Sequence, residues 1–123
     1  MKKREVDERF DDIVEFAQIK KFLDTPIKKY SSGMYSRLGF SVCAFCDPDL
    51  LLVDEVLAVG DESFQRKCLT KMHSFAKEKT VIFVSHNMEA VKSICSKVIY
   101  LEEGKIQKIG SASKIVKQYL DAQ

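Results

Sequence analysis

Two adjacent carboxylates, Asp54 and Glu55, follow directly on the apolar run Leu50-Leu51-Leu52-Val53. A strand inside a parallel sheet reads as an unbroken apolar run because both its faces are covered, and its C-terminal end opens onto the crevice where α/β proteins bind ligands. The acids are therefore predicted at the ligand end of a strand. Consecutive side chains diverge there, so one carboxylate can hold a hydrated magnesium ion while the next faces a water nucleophile. That division of labour suits phosphoryl transfer. The plainer reading is a strand that ends in solvent and runs into an acidic loop.

Two flanking segments bear on the choice. Upstream, Tyr30-Ser31-Ser32-Gly33-Met34-Tyr35-Ser36-Arg37-Leu38 precedes apolar residues at Leu38, Val42 and Phe45, a helical spacing. Serines and a glycine at a helix start leave backbone N–H groups uncrowded, and the helix dipole adds partial positive charge, which together can grip an anion. The same string also reads as an ordinary N-cap. Downstream, Thr80-Val81-Ile82-Phe83-Val84-Ser85 is a second β-branched, apolar run, and it delivers His86 to the same sheet edge as Glu55.

The elements that must hold these residues follow from periodicity. A helix is predicted over 4–17, with Val6, Phe10, Ile13 and Ala17 on one face; a short turn carries Ile19 and Leu23, and Pro26 breaks the pattern. The helix over 33–46 ends before Asp47-Pro48. Next comes a helix over 62–77 with Phe64, Cys68, Met72, Phe75 and Ala76 inward and His73 in solvent. Asn87 is placed to cap a helix whose Met88, Val91, Ile94 and Cys95 face inward. Residues 98–101 and 106–109 flank Glu102-Glu103-Gly104-Lys105 as a β-hairpin with glycine in its turn. A last helix after Gly110-Ser111 packs back through Ile115, Val116, Tyr119 and Leu120. Alternating strands and helices give an α/β layer protein.

Composition narrows the class. With 46% hydrophobic and 31% charged residues, 123 residues can bury a core, although a domain of this size hides only about two-thirds of its unfolded surface. A net charge of +2 is too balanced to argue for nucleic acid or a membrane surface. No apolar stretch approaches the roughly twenty residues that span a bilayer, and the first residues, Met-Lys-Lys-Arg-Glu-Val-Asp, lack a signal-peptide core, so a cytoplasmic chain is expected. Cys43 and Cys46 form a lone CxxC on the predicted helix and are expected to act, like Cys68 and Cys95, as small buried hydrophobes rather than as a zinc or redox site.

Taken in order, Tyr30–Met34, Leu50–Glu55, Ala58-Val59-Gly60-Asp61 and Val84-Ser85-His86 resemble the C-terminal half of an ATP-binding cassette (ABC) transporter ATPase, over essentially the whole chain. The Tyr-Ser-Ser-Gly-Met form, in place of the commoner Leu-Ser-Gly-Gly-Gln, is similar to that of polysaccharide, O-antigen and teichoic acid exporters. The resemblance implies part of a P-loop ATPase domain: a helical signature subdomain over about 1–47, then a mostly parallel sheet with flanking helices and a C-terminal β-hairpin over about 48–123.

It also implies roles. Asp54 would hold Mg2+ through water, Glu55 would be the general base, and His86 would touch the γ-phosphate of ATP. Ser31, Ser32, Gly33 and Met34 would form the signature loop, with Ser32 where the common pattern has its first glycine and Met34 where it has glutamine. Asp61 would be the D-loop aspartate that crosses the interface of a head-to-tail homodimer. The further partner implied is a transmembrane permease subunit, met near residues 4–25, with the assembly peripheral on the inner face of the cell membrane.

No GxxxxGK[ST] occurs in the sequence, and neither the aromatic adenine platform nor the Q-loop glutamine has a counterpart. The chain is thus expected to begin just after the Q-loop, to carry half of each nucleotide site, and to bind and hydrolyse ATP weakly by itself. Strands central in the whole domain would become edges, so self-association is expected. Two other readings stand beside this one. A DNA-repair or chromosome-structure ATPase would need a long coiled coil before Tyr30, where only short helices are predicted. A non-enzymatic module that pairs with an ABC ATPase has no such requirement.

Overall fold

The computed structural model describes residues 1–55 and 60–123, which divide into two compact units. The first holds Met1–Asp49 and the start of the third helix as far as Met72; the second holds Leu50–Glu55 and His73–Gln123.

In the first unit, α1 (Lys3–Ala17) packs on α2 (Ser32–Phe45), and α3 (Glu62–Glu78) adds Phe64, Cys68 and Met72 at fourfold spacing, all fully buried. Four phenylalanines join the three helices. Phe16 lies 6.1 Å from Phe40 in a stacked pair and 5.7 Å from both Phe45 and Phe64 edge-on, and Phe40 lies 6.3 Å from Phe64. Edge-on and offset rings at these distances favour the aromatic quadrupole as well as burial. Lysines of α3 close the cluster: Lys67 Nζ lies 4.8 Å from the Phe16 ring and Lys71 Nζ 4.2 Å from the Phe45 ring.

The predicted apolar face of α1 is only half used. Ile13 and Ala17 are buried with Val14, whereas Val6 and Phe10 are exposed. Arg9 reaches the carbonyl of Phe45, the last residue of α2, so Val6, nearer the start of α1, lies beyond the main α1–α2 contact. Gln18 ends α1 in the left-handed conformation (φ 58°). Short 3-10 turns at Lys20–Phe22 and Ile27–Lys29 then lead to Tyr30, whose hydroxyl donates to the Phe22 carbonyl at 2.8 Å while its ring packs with Leu38 on Val14, Ala17 and Ile19.

In the second unit, β1 (Leu50–Asp54) pairs in parallel with β2 (Thr80–Val84), Leu50 opposite Thr80 and Asp54 opposite Val84. Only one face of this pair is covered. Val53 is buried and Leu51, Val81 and Phe83 are half-buried, but Leu50, Leu52, Ile82 and Val84 are exposed. The apolar run of β1 was expected to be covered on both faces; in this unit it is covered on one.

After α4 (Met88–Ile94), β3 (Lys97–Glu102) and β4 (Lys105–Ser111) form an antiparallel hairpin whose turn residues, Glu103 (φ 50°) and Gly104 (φ 72°), are both left-handed. That is the turn geometry whose twist suits a two-residue hairpin. Against the hairpin packs α5 (Ala112–Asp121), through buried Ile115 and Val116 and through Tyr119, 5.2 Å edge-on from Tyr100. Gly110 makes this approach possible, since a Cβ there would stand 3.2 Å from Ile115 Cδ1. Leu120 is exposed, contrary to the predicted inner face, while Ala90 is buried beside Val91 on α4.

Of the cysteines, all free thiols, Cys68 is buried and desolvation pushes its thiol up to about 12. Cys43 is exposed, so it is not the small core residue expected, and His73 is half-buried rather than in solvent. No helix among the described residues is long and apolar enough to cross a membrane.

Because Phe64 is fully buried at the junction of three helices, Phe64→Ala is expected to cost about 3–5 kcal/mol. Urea unfolding followed by circular dichroism checks this; a loss under about 1 kcal/mol would show that the cluster does not hold the unit together.

Candidate functional site

The β1–β2 register brings the two strand ends level, and the ladder runs one residue past β1: the Glu55 N–H donates to the Val84 carbonyl at 3.0 Å. Glu55 itself turns left-handed, with φ 51°, a conformation unfavourable for a residue with a Cβ. Its carboxylate is thereby directed to His86, with Nε2 and Oε1 2.7 Å apart. The imidazole is 88% exposed and the carboxylate 54%, so the pair is open to an incoming ligand and contributes little to stability. Asp54, exposed, ends the strand one residue earlier.

The segment after β2 is locally determined. The Asn87 N–H donates to Ser85 Oγ at 3.0 Å, and Asn87 Oδ1 accepts from the N–H groups of Glu89 and Ala90 at 3.1 and 3.0 Å, capping α4. His86 is held between these two turns. Ser85 was not singled out from the sequence, although a serine two residues before a capping asparagine carries the signal of such a turn.

The first unit holds the remaining candidates. Ser31 caps α2, its Oγ accepting from the Met34 N–H at 3.2 Å, and the Ser36 hydroxyl donates to the Ser32 carbonyl at 2.9 Å. Ser31 and Ser32 are exposed, Gly33 and Met34 half-buried. A Cβ at Gly33 would meet nothing within 4 Å, so packing in this chain does not require glycine there.

Asp61 is an N-cap: its Oδ1 accepts from the Phe64 N–H at 2.8 Å and its carbonyl from the Gln65 N–H at 3.0 Å. Gly60 before it has φ 78°, and a Cβ there would stand 3.1 Å from Phe64 Cδ1, so this position needs glycine on two counts. Ala58 and Val59 of the same motif lie outside the described residues.

No protein-family profile matches the chain. Individual proteins do. The O-antigen export system ATP-binding protein RfbB of Klebsiella pneumoniae is 46% identical over 123 residues, which is 99% of this chain and 50% of that protein. The teichoic acids export ATP-binding protein TagH of Shouchella clausii is 45% identical over 120 residues, 97% of this chain and 33% of that protein. Among solved structures, an ATP-binding subunit of an ABC transporter superposes with a TM-score of 0.83 at 18% identity, covering 97% of this chain and 50% of that one. A dimeric ATP-binding cassette in a post-hydrolysis state, bound to ADP and phosphate, gives 0.73 at 19% identity, covering 91% and 49%. Nearly the whole chain is thus similar to part of the ATP-binding subunits of polymer exporters, and its fold is that of an ABC transporter ATPase domain.

It spans about half the length of the first of these ABC relatives. Within the ABC fold the donor chemistry fits the groups that the family implies. Magnesium is commonly bound by one or two carboxylates with water and phosphate oxygens completing the shell, and Asp54 offers one exposed carboxylate at a strand end. The second unit presents a carboxylate and an imidazole at its strand ends, the first unit a serine-capped helix start, and the sequence contains no lysine-bearing phosphate loop.

Two substitutions separate structural from ligand-facing roles. Asp61→Ala is expected to destabilise by about 1 kcal/mol through loss of the α3 cap, with Asp61→Asn close to the parent; thermal melts check both. Gly33→Ala is expected to leave the melting midpoint unchanged or to raise stability by up to about 1 kcal/mol, since the added methyl meets no neighbour and alanine favours the helix. A marked fall in the midpoint would assign Gly33 to the fold instead.

Proposed function

We propose that this chain is the part of an ABC exporter ATP-binding subunit that carries the hydrolytic carboxylate, the switch histidine and the signature loop, and that the complete subunit powers export of a polysaccharide or teichoic acid type polymer. The observation that carries this reading is the 2.7 Å pairing of Glu55 with His86 at adjacent ends of a parallel strand pair. Support for the substrate class comes from relatives named for O-antigen and teichoic acid export.

Glu55 takes the role of general base. Its carboxylate is exposed enough for the oxygen not held by His86 to accept a proton from a water, and its left-handed backbone keeps the group turned toward His86. His86, fixed between Val84 and the Asn87 cap, orients that carboxylate and presents an N–H toward the terminal phosphate. Asp54 would hold magnesium through water, and the ion would supply charge neutralisation to the phosphates. Ser31, Ser32 and Gly33 offer N–H groups of the α2 start, and Met34 completes the loop with its N–H on Ser31 Oγ, toward the nucleotide held by a second subunit, arranged head-to-tail, with Asp61 at that interface. A permease subunit meets the helical part near residues 4–25 and holds the assembly on the inner face of the membrane.

The test joins the 123 residues to the half of the Klebsiella O-antigen export ATP-binding protein that they do not match. The chimera is expected to hydrolyse ATP with magnesium, and Glu55→Gln to keep nucleotide binding while lowering kcat by at least about 100-fold. The 123-residue chain alone is expected to show no more than trace turnover. Unchanged turnover in the glutamine variant would remove Glu55 from the mechanism.

A further inference from the structure

The CxxC of the helical unit has no part in the proposed reaction, and its surroundings differ from those of a core pair. Cys43 is exposed and Cys46 half-buried, whereas Cys68 is the fully buried thiol of this unit. Cys46 ends α2 with its backbone still helical (φ −70°, ψ −16°), its N–H donating to the Cys43 carbonyl at 3.3 Å. The two residues therefore stand at i and i+3 on one side of the helix, with Cβ atoms about 5–6 Å apart. A third sulfur joins them. Met1 Sδ lies 3.1 Å from Cys46 Sγ, and the Met1 side chain is 48% exposed. Arg9, on the carbonyl of Phe45, holds the early turns of α1 at this end of α2 and brings a permanent positive charge to the residue before Cys46.

The spacing discriminates between the uses of such a pair. A disulfide holds its Cβ atoms about 3.5–4.5 Å apart, closer than one helical turn leaves them, so oxidation would have to distort the end of α2. A metal with thiolate bonds of about 2.3 Å spans the wider gap without that distortion. The donor set then selects the ion. Structural zinc takes four ligands, chiefly Cys and His, and no group of three His, Cys, Asp or Glu side chains able to hold a metal exists among the described residues. Two thiolates and a thioether are all soft donors, a set that favours Cu(I), which is satisfied by low coordination numbers. We propose that Cys43, Cys46 and the Met1 thioether form a three-sulfur site for Cu(I). Binding releases the two thiol protons and takes up one cation, which leaves a single net negative charge next to the carbonyl that Arg9 holds. Only the thioether of Met1 takes part; no role falls to the amino group. The exposure of Cys43 and Met1 gives an incoming ion direct access, and the bound ion ties the end of α2 to the segment before α1.

The reduced 123-residue chain, titrated anaerobically with Cu(I) in competition with bicinchoninate, is expected to take up one ion per chain with no change of oligomeric state. Cys43→Ser and Cys46→Ser should each lower the affinity by at least about 100-fold, the upper end of what loss of an outer-shell partner costs, while Cys95→Ser, in the second unit, leaves it unchanged. X-ray absorption at the copper edge should show three sulfur neighbours, falling to two in Met1→Leu carried behind a short N-terminal extension. Circular dichroism checks the fold of each variant. Should serine loosen the end of α2, Cys43→Ala, a better helix former, is expected to show the same loss of affinity. Uptake indifferent to loss of either thiol, uptake only by pairs of chains bridged through copper, two sulfur neighbours in the parent, or tighter binding of Zn2+ than of Cu(I) would each overturn the proposal. So would a reduced chain that binds no copper and instead closes a Cys43–Cys46 disulfide in oxidised glutathione.

Discussion

The parallel register of β1 against β2 is the constraint on which the candidate hydrolytic site depends. Side chains alternate along a strand, so a slip of one residue would turn the acidic end of β1 to the other face and take Glu55 away from His86. Local terms alone do not hold Glu55 in place. A left-handed residue with a Cβ costs about 1–2 kcal/mol. An exposed ion pair returns at most about 1 kcal/mol. The balance is met by the ladder hydrogen bond from the Glu55 N–H to Val84, so the carboxylate is aimed by the sheet rather than by its partner.

The helical unit works by other means. Its aromatic cluster ties three helices together through burial and ring geometry, while the polar residues at the helix starts satisfy backbone donors that have no partner within the helix. Ser31 and Asp61 have both a structural and a proposed functional reading for a common physical cause. The start of a helix is where N–H groups are unsatisfied, so the residue types that cap it locally are also the types found where a helix start meets an anion. At Gly60 the fold itself demands glycine, through a positive φ and the nearness of Phe64; at Gly33 it does not.

The bare faces of the second unit belong to the same account. A chain of this length hides only about two-thirds of the surface its unfolded form exposes, which leaves little surplus with which to tolerate open sheet faces. Val53 and the α5 contacts supply a core on one side of each sheet, and large aliphatic residues at Leu52, Ile82, Ile99 and Leu101 lie exposed on the other.

Strong local signals in the sequence already determined much of this protein. The apolar run ending in Asp54-Glu55, the hairpin glycine at Gly104, the asparagine cap at Asn87 and the serine start of α2 each specify an element through nearest-neighbour chemistry, and their order carries the resemblance to ABC ATPases. Tertiary structure alone decided which apolar faces are covered. Val6, Phe10 and Leu120 follow the same periodicity as Ile13 and Ile115 yet lie in solvent, because periodicity says which side chains share a face and not whether anything packs against it. It also decided the left-handed turn at Glu55, the hydrogen-bond distance to His86 and the capping role of Asp61, since each depends on where a segment distant in sequence or a following helix places its backbone.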